Sequence, residues 1–155
     1  MNLILWRHAA AEDLPSGDSG SDLDRALTKR GQKQSEIMAA WLNARLPADC
    51  DFLVSPAVRT RQTADALERR YRVVPALAPG ADAAELLALV NWPDNRRTVV
   101  VVGHQPTLGA VAAVLLGDAG AVWSIKKGAA WWFANRDREE GPHCVLRAVM
   151  TPDLV

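Results

Sequence analysis

Thr98-Val99-Val100-Val101-Val102-Gly103-His104-Gln105-Pro106 is the stretch whose reading decides the fold. Its four consecutive valines have no polar side, so the strand they form must be covered on both faces, as in a parallel sheet between layers of helix. The strand ends at Gly103, and His104 and Gln105, which follow at once, are not core residues. Pro106 then starts a helix whose body, Leu108 to Leu116, is apolar nearly all round and therefore buried.

Upstream, strand and helix signals alternate. Leu3 to Trp6 reads as a short buried strand. Thr28 caps a helix running to about Leu46, before Pro47, with Ile37, Met38, Trp41 and Leu42 as its apolar stripe. Asp51 to Val54 is a second strand, and Ser55-Pro56 opens a helix to about Arg70 with the proline in its first turn. Val73-Val74 forms a short strand and Ala83 to Val90 a further helix. Downstream, Val122–Ile125, Ala129–Ala134 and Cys144–Met150 read as two or three strands at a sheet edge, with Trp123, Trp131 and Trp132 as packing residues. The expected order is β-α-β-α-(β)-α-β-α-β-β. That is an α/β protein, a three-layer α/β/α sandwich with a mainly parallel central sheet and antiparallel edge strands.

Nothing divides the 155 residues, and we expect one domain over 1–155. Eighteen Lys and Arg balance 18 Asp and Glu, which argues against a nucleic-acid or anionic-membrane partner. No apolar run approaches the roughly 20 residues needed to span a bilayer, and the N-terminus lacks the parts of a signal peptide. Cys50 and Cys144 stand far apart without CxxC spacing, and read as reduced, half-buried thiols of a cytoplasmic protein. The acidic loop, with Glu12, Asp13, Asp18, Asp22 and Asp24, reads as a solvated excursion.

Three strands end in residues suited to chemistry: Arg7-His8, Ser55-Pro56-Ala57-Val58-Arg59-Thr60, and Gly103-His104-Gln105-Pro106. The carboxyl ends of parallel strands share one edge, where ligands bind, so Arg7, His8, Arg59 and His104 converge there. Two guanidiniums, one or two imidazoles and two helix N-termini suit a compact, multiply charged anion such as phosphate. Ser55, Arg59, Gln62 and Thr63 share one helix face. A histidine held against a phosphoryl group can serve as its nucleophile, with flanking cations stabilising the charge in transfer.

Arg7-His8-Ala9, Ser55-Pro56-Ala57-x-Arg59-Thr60-x-Gln62-Thr63-Ala64 and Gly103-His104-Gln105-Pro106 resemble the motifs of the histidine phosphatase superfamily, the phosphoglycerate-mutase-like fold. The short length and the Asp24-Arg25-x-Leu27-Thr28-x-x-Gly31 segment are similar to the small SixA-like phosphohistidine phosphatases. The resemblance spans Met1 to about Leu116. It implies His8 as nucleophile, Arg7 and Arg59 as phosphoryl ligands, His104 as electrostatic stabiliser, and Arg25, Ser55 and Gln105 as further substrate contacts. It implies no metal and no organic cofactor, and phosphate or sulfate binding in the pocket. Many members carry a carboxylic general acid between the second and third motifs. Asp82 and Glu85 are the candidates here, though neither sits in a recognisable acid motif, and Asp18 is a more distant one.

A departing alkoxide must be protonated, and loss of the acid costs about 10²–10⁴-fold. The leaving nitrogen of phosphohistidine can already carry a proton. The expected activity is therefore metal-independent hydrolysis of phosphohistidine in proteins through a phosphohistidine enzyme intermediate. A small-molecule phosphomonoesterase and a catalytically silent phospho-ligand module are the alternatives. A metallohydrolase lacks ligand spacing around His8 and His104, and a dinucleotide site lacks GxGxxG after the first strand. His143 has no motif around it and reads as structural.

Overall fold

The computed structural model describes residues 1–14, 21–121, 123–138 and 141–155. Six strands, β1 (Asn2–Arg7), β2 (Asp51–Val54), β3 (Arg72–Val73), β4 (Thr98–Gly103), β5 (Ala130–Arg138) and β6 (Gly141–Met150), form one sheet in the order β3-β2-β4-β1-β5-β6. β4 pairs in parallel with both β1 and β2, and β2 with β3. β5 and β6 close one edge as antiparallel strands. Helices α1 (Lys29–Asn43), α2 (Val58–Asp65), α3 (Ala83–Leu89) and α4 (Thr107–Leu115) cover the two faces.

The valine run divides its side chains between two cores with the period of two that a strand imposes. Val99 and Val101 meet Leu86 and Val90 at α3 and Leu108, Val111 and Leu115 on α4. Val100 and Val102 meet Met38, Trp41 and Leu42 on α1 and Ala64 on α2. Each valine is at most 2% exposed, and such burial contributes about 1.5–3 kcal/mol per side chain. The α/β/α sandwich expected from the sequence is thus present.

Three local departures have visible causes. α2 starts at Val58, not at Ser55-Pro56, because Ala57 is extended as the N-cap and Thr60 Oγ1 folds back onto the carbonyls of Ser55 and Ala57. It stops at Asp65 rather than Arg70, where Glu68 takes a positive φ of 54° that no helix accepts. The segment before β5 is irregular over its described residues 123–125. The Trp123 and Ile125 carbonyls accept side-chain donors, from Gln105 and Arg7, instead of a ladder.

Trp131 and Trp132 are buried as expected, whereas Trp123 is 40% exposed with its ring edge-on to Trp131. Cys50 is half-buried, and burial pushes its thiol up to about 12; Cys144, on the outer strand β6, is exposed rather than half-buried. Thr28 caps α1 by accepting from Gly31 N, and Gly31 is required there because a Cβ would collide with the Ala10 carbonyl. Among the described residues no helix is long and apolar enough to cross a membrane.

Candidate active site

Parallel pairing brings the ends of β1, β2 and β4 to one edge and carries the ladder one residue further. His8 N donates to Gly103 O at 3.1 Å, and Ser55 N to Val102 O at 3.1 Å. The His8 and His104 rings then lie 5.3 Å apart, centroid to centroid, and both are at least 95% buried.

The partners of each ring determine which nitrogen carries the proton. A carbonyl only accepts, so His8 Nδ1, 2.7 Å from Ala9 O, must be the N–H, and Nε2 keeps the lone pair. Ala9 is itself anchored: its N–H donates to Thr63 Oγ1, whose hydroxyl donates to Arg59 O on α2. A guanidinium only donates, so His104 Nδ1 accepts from Arg59 Nη2 at 3.4 Å, and Nε2–H donates to Ser55 Oγ at 2.7 Å. Burial is the largest cause holding both imidazoles neutral, at about 4 for His8 and about 3 for His104. The Arg59 and Arg7 charges lower both, and Lys127 adds to the effect on His8. The Ala9 carbonyl opposes the shift at His8, and the Asp22 charge opposes it at His104.

Arg59 is only 3% exposed. It donates through Nη1 to Asp22 O at 2.7 Å and through Nη2 to Asp22 Oδ2 at 2.9 Å. Arg7 donates through Nη1 to Ile125 O at 2.7 Å. The Nε of each arginine is buried without a partner among the described residues. Two guanidiniums, each with a buried and unpaired Nε–H, make a site that an anion would complete. The first turn of α2 has no cap from its N-cap side chain and adds N–H groups, whereas in α4 the Gln105 side chain already accepts from Gly109 N.

Of the residues nominated from sequence, the fold brings Arg7, His8, Arg59, His104 and Ser55 together. Arg25 stands one step back, bonding Asp22 Oδ1 and the Glu12 carbonyl. Gln105 is spent elsewhere: its amide donates to Trp123 O and accepts from Gly109 N. Asp82 caps α3 by accepting from Ala84 N and Glu85 N, and Glu85 is exposed on that helix; neither bonds any of the four central residues. Among the described residues the carboxylate beside the site is Asp22 instead. Burial nudges its acid upward, but hydrogen bonds and charge from Arg59 and Arg25 outweigh that and hold it below the usual carboxylate range. Asp18 lies outside the described residues.

Asp22, Lys127 and the role of Thr63 were not read from sequence. The signal available for Asp22 was its place just before Asp24-Arg25. It reaches Arg59 because the loop from Ala9 to Thr28 is closed at its base. Ala11 bridges Leu27, Thr28 N donates to Ala10 O, and Gln62 on α2 accepts from Leu27 N. Among the described residues, no three His, Cys, Asp or Glu side chains gather as a metal site would require.

The family model of the histidine phosphatase superfamily (branch 1) matches residues 3–82, just over half the chain. An uncharacterized protein of Picosynechococcus is 35% identical over 137 residues, covering 82% of this chain and 81% of its own. The phosphohistidine phosphatase SixA of Escherichia coli is 33% identical over 125 residues, 74% of each chain. A solved structure of the protein histidine phosphatase SixA complexed with tungstate superposes with a TM-score of 0.73 at 28% identity, covering 99% of this chain and 98% of that one.

Proposed function

Because the chain belongs to the histidine phosphatase superfamily and is a phosphatase, we propose that it removes phosphoryl groups from histidine side chains of proteins, without a metal, through its own His8. The observation that carries this is the state of His8. The imidazole is neutral, its Nδ1–H is tied to Ala9 O, and its free lone pair is on Nε2. A neutral nitrogen of fixed direction, beside two guanidiniums, is a nucleophile prepared for a phosphoryl group.

In the first step the His8 Nε2 lone pair forms a bond to phosphorus while the bond to the substrate nitrogen breaks, its electrons leaving with that imidazole. Arg7 and Arg59 neutralise the equatorial oxygens, their unpaired Nε–H groups offering two of the donors. In the second step water attacks phosphorus, the His8 nitrogen departs with its electron pair, and phosphate is released. His104 is held by Ser55 and Arg59 as a neutral, oriented ring beside His8.

The substrate class rests on the lack of a free acid at the site among the described residues. Asp22, the carboxylate at the site, is ionised and bound by two arginines, so it is a poor proton donor. Asp82 is occupied as a helix cap. A leaving imidazole nitrogen tolerates that, whereas an alkoxide does not.

The test is hydrolysis of p-nitrophenyl phosphate, whose leaving group needs little help from an acid, by EDTA-treated protein and its His8→Ala variant. A histidine-phosphorylated protein and a sugar phosphate are then compared. Expected are turnover that survives EDTA, none in His8→Ala, and a kcat/KM for the phosphohistidine protein far above that for the sugar phosphate. Activity lost to EDTA, or a preference for the sugar phosphate, would overturn the proposal.

A further inference from the structure

Ser124-Ile125-Lys126-Lys127 runs beside Arg7, with Ile125 buried and accepting the Arg7 Nη1–H. Burying Ile125 turns both lysines outward, and both are exposed. With Arg30 and Gln34 from α1 and the C-terminal turn Thr151–Asp153, they wall a cleft of about 500 Å³ that has Arg7 as one of its lining residues. Its charged lining residues are Arg7, Arg30, Lys126 and Lys127 against Asp153 alone. The whole chain has no such excess, with 18 basic and 18 acidic side chains, so the cleft is a local concentration of positive charge. The Asp153 carboxylate accepts from Thr151 and also feels the Lys126 and Arg30 charges, which hold its acid below the usual carboxylate range.

The cations other than Arg7 are long, exposed side chains, not buried donors arranged around one compact group. Such a surface attracts and orients mobile carboxylates rather than gripping a single phosphate. We propose that this cleft docks an acidic stretch of polypeptide flanking the phosphorylated residue of the substrate. The inference rests on the protein-phosphohistidine reading above. Arg7 is shared by the two sites, with its Nη1 tied to the wall of the cleft and its charge acting on His8. A phosphorylated residue at His8 would thus lie beside the segment it belongs to.

The experiment compares kcat/KM for two histidine-phosphorylated peptides of equal length, one flanked by Asp and Glu, the other by Asn and Gln, with p-nitrophenyl phosphate as reference. The acidic peptide should be favoured about tenfold at low salt, and the preference should vanish as added salt shortens the Debye length to a few Å. Lys126→Ala and Arg30→Ala should each cut the acidic-to-neutral ratio by about two- to fivefold and leave the reference rate unchanged. Asp153→Asn should raise the ratio. Equal kcat/KM for the two peptides would overturn the proposal. So would a Lys126→Ala loss that is as large on p-nitrophenyl phosphate, or the same salt and variant dependence for a small bisphosphate. If neither peptide is hydrolysed while p-nitrophenyl phosphate is, the protein-substrate reading falls. Fluorescence anisotropy of the unphosphorylated acidic peptide then judges the cleft separately: equal affinity for wild type and Arg30→Ala overturns it.

Discussion

In this structure Arg59 donates both terminal nitrogens to Asp22, so a phosphate must displace that residue or share the guanidinium with it. Replacing Asp22 by Asn keeps the side-chain shape and the backbone carbonyl that receives Nη1 but removes the competing charge. The ion pair, 2.9 Å long between a buried Arg59 and an Asp22 side chain 49% exposed, contributes about 0.2–1 kcal/mol to holding Arg59 away from a ligand. A carboxylate roughly 5 Å from a bound phosphate adds about 1 kcal/mol of repulsion per unit charge in a water-like dielectric. Together these amount to about 1–2 kcal/mol, or roughly a 5- to 30-fold gain in phosphate affinity. The assay is the competitive inhibition constant of inorganic phosphate against p-nitrophenyl phosphate for wild type and Asp22→Asn. Asp24→Asn is the control, since Asp24 lies exposed in the same turn and bonds neither arginine. The gain should shrink at high salt. An inhibition constant unchanged within twofold, or a weaker one, would refute the competition and show that Asp22 positions Arg59 for the ligand instead.

Two further outcomes follow from the geometry. His8 and His104 stay neutral when folded, at about 4 and about 3 against an ordinary 6.5. The unfolded chain therefore binds more protons between those values, and stability should be full above pH 6.5 and fall as pH drops toward 4. The loss is about 2 kcal/mol per histidine between pH 7 and 5, read from urea midpoints, and His8→Ala should remove about half of the dependence. NMR titration of either ring near 6.5 would contradict this. Gly109→Ala should destabilise the fold by about 1–3 kcal/mol, a drop in Tm of roughly 3–10 °C, because a Cβ there collides with the Trp123 carbonyl and crowds the Gln105 amide. An unchanged Tm would show that the segment from Trp123 to Ile125 yields freely.

What could be read from sequence was whatever a local pattern encodes. Four valines in a row require a strand covered on both faces, and Thr28 with Gly31 marks a capped helix start. Polar residues directly after three buried strands mark one edge of a parallel sheet, and with it the convergence of Arg7, His8, Arg59 and His104. The rest depended on partners far apart in the chain. Val122–Ile125 has strand composition, yet the described carbonyls there serve Arg7 and Gln105, over a hundred residues away in the first case. The same contact spends Gln105, which looked like a substrate ligand in its motif. Asp22 looked like one acid in a solvated loop until the closed base of that loop set it on Arg59.

Residue order and hydrophobic period thus determined most of the elements, their layering and the sheet edge where the four central side chains meet. Only the tertiary structure decided which imidazole nitrogen is free, which carboxylate meets the arginine and where the positive charge continues beyond the site. The physical reason is that hydrophobic periodicity is written in neighbouring residues. Proton positions, ion pairs and local charge excess are set by groups that meet only when the chain is packed, at distances where a hydrogen bond or a Coulomb interaction is decided within an ångström.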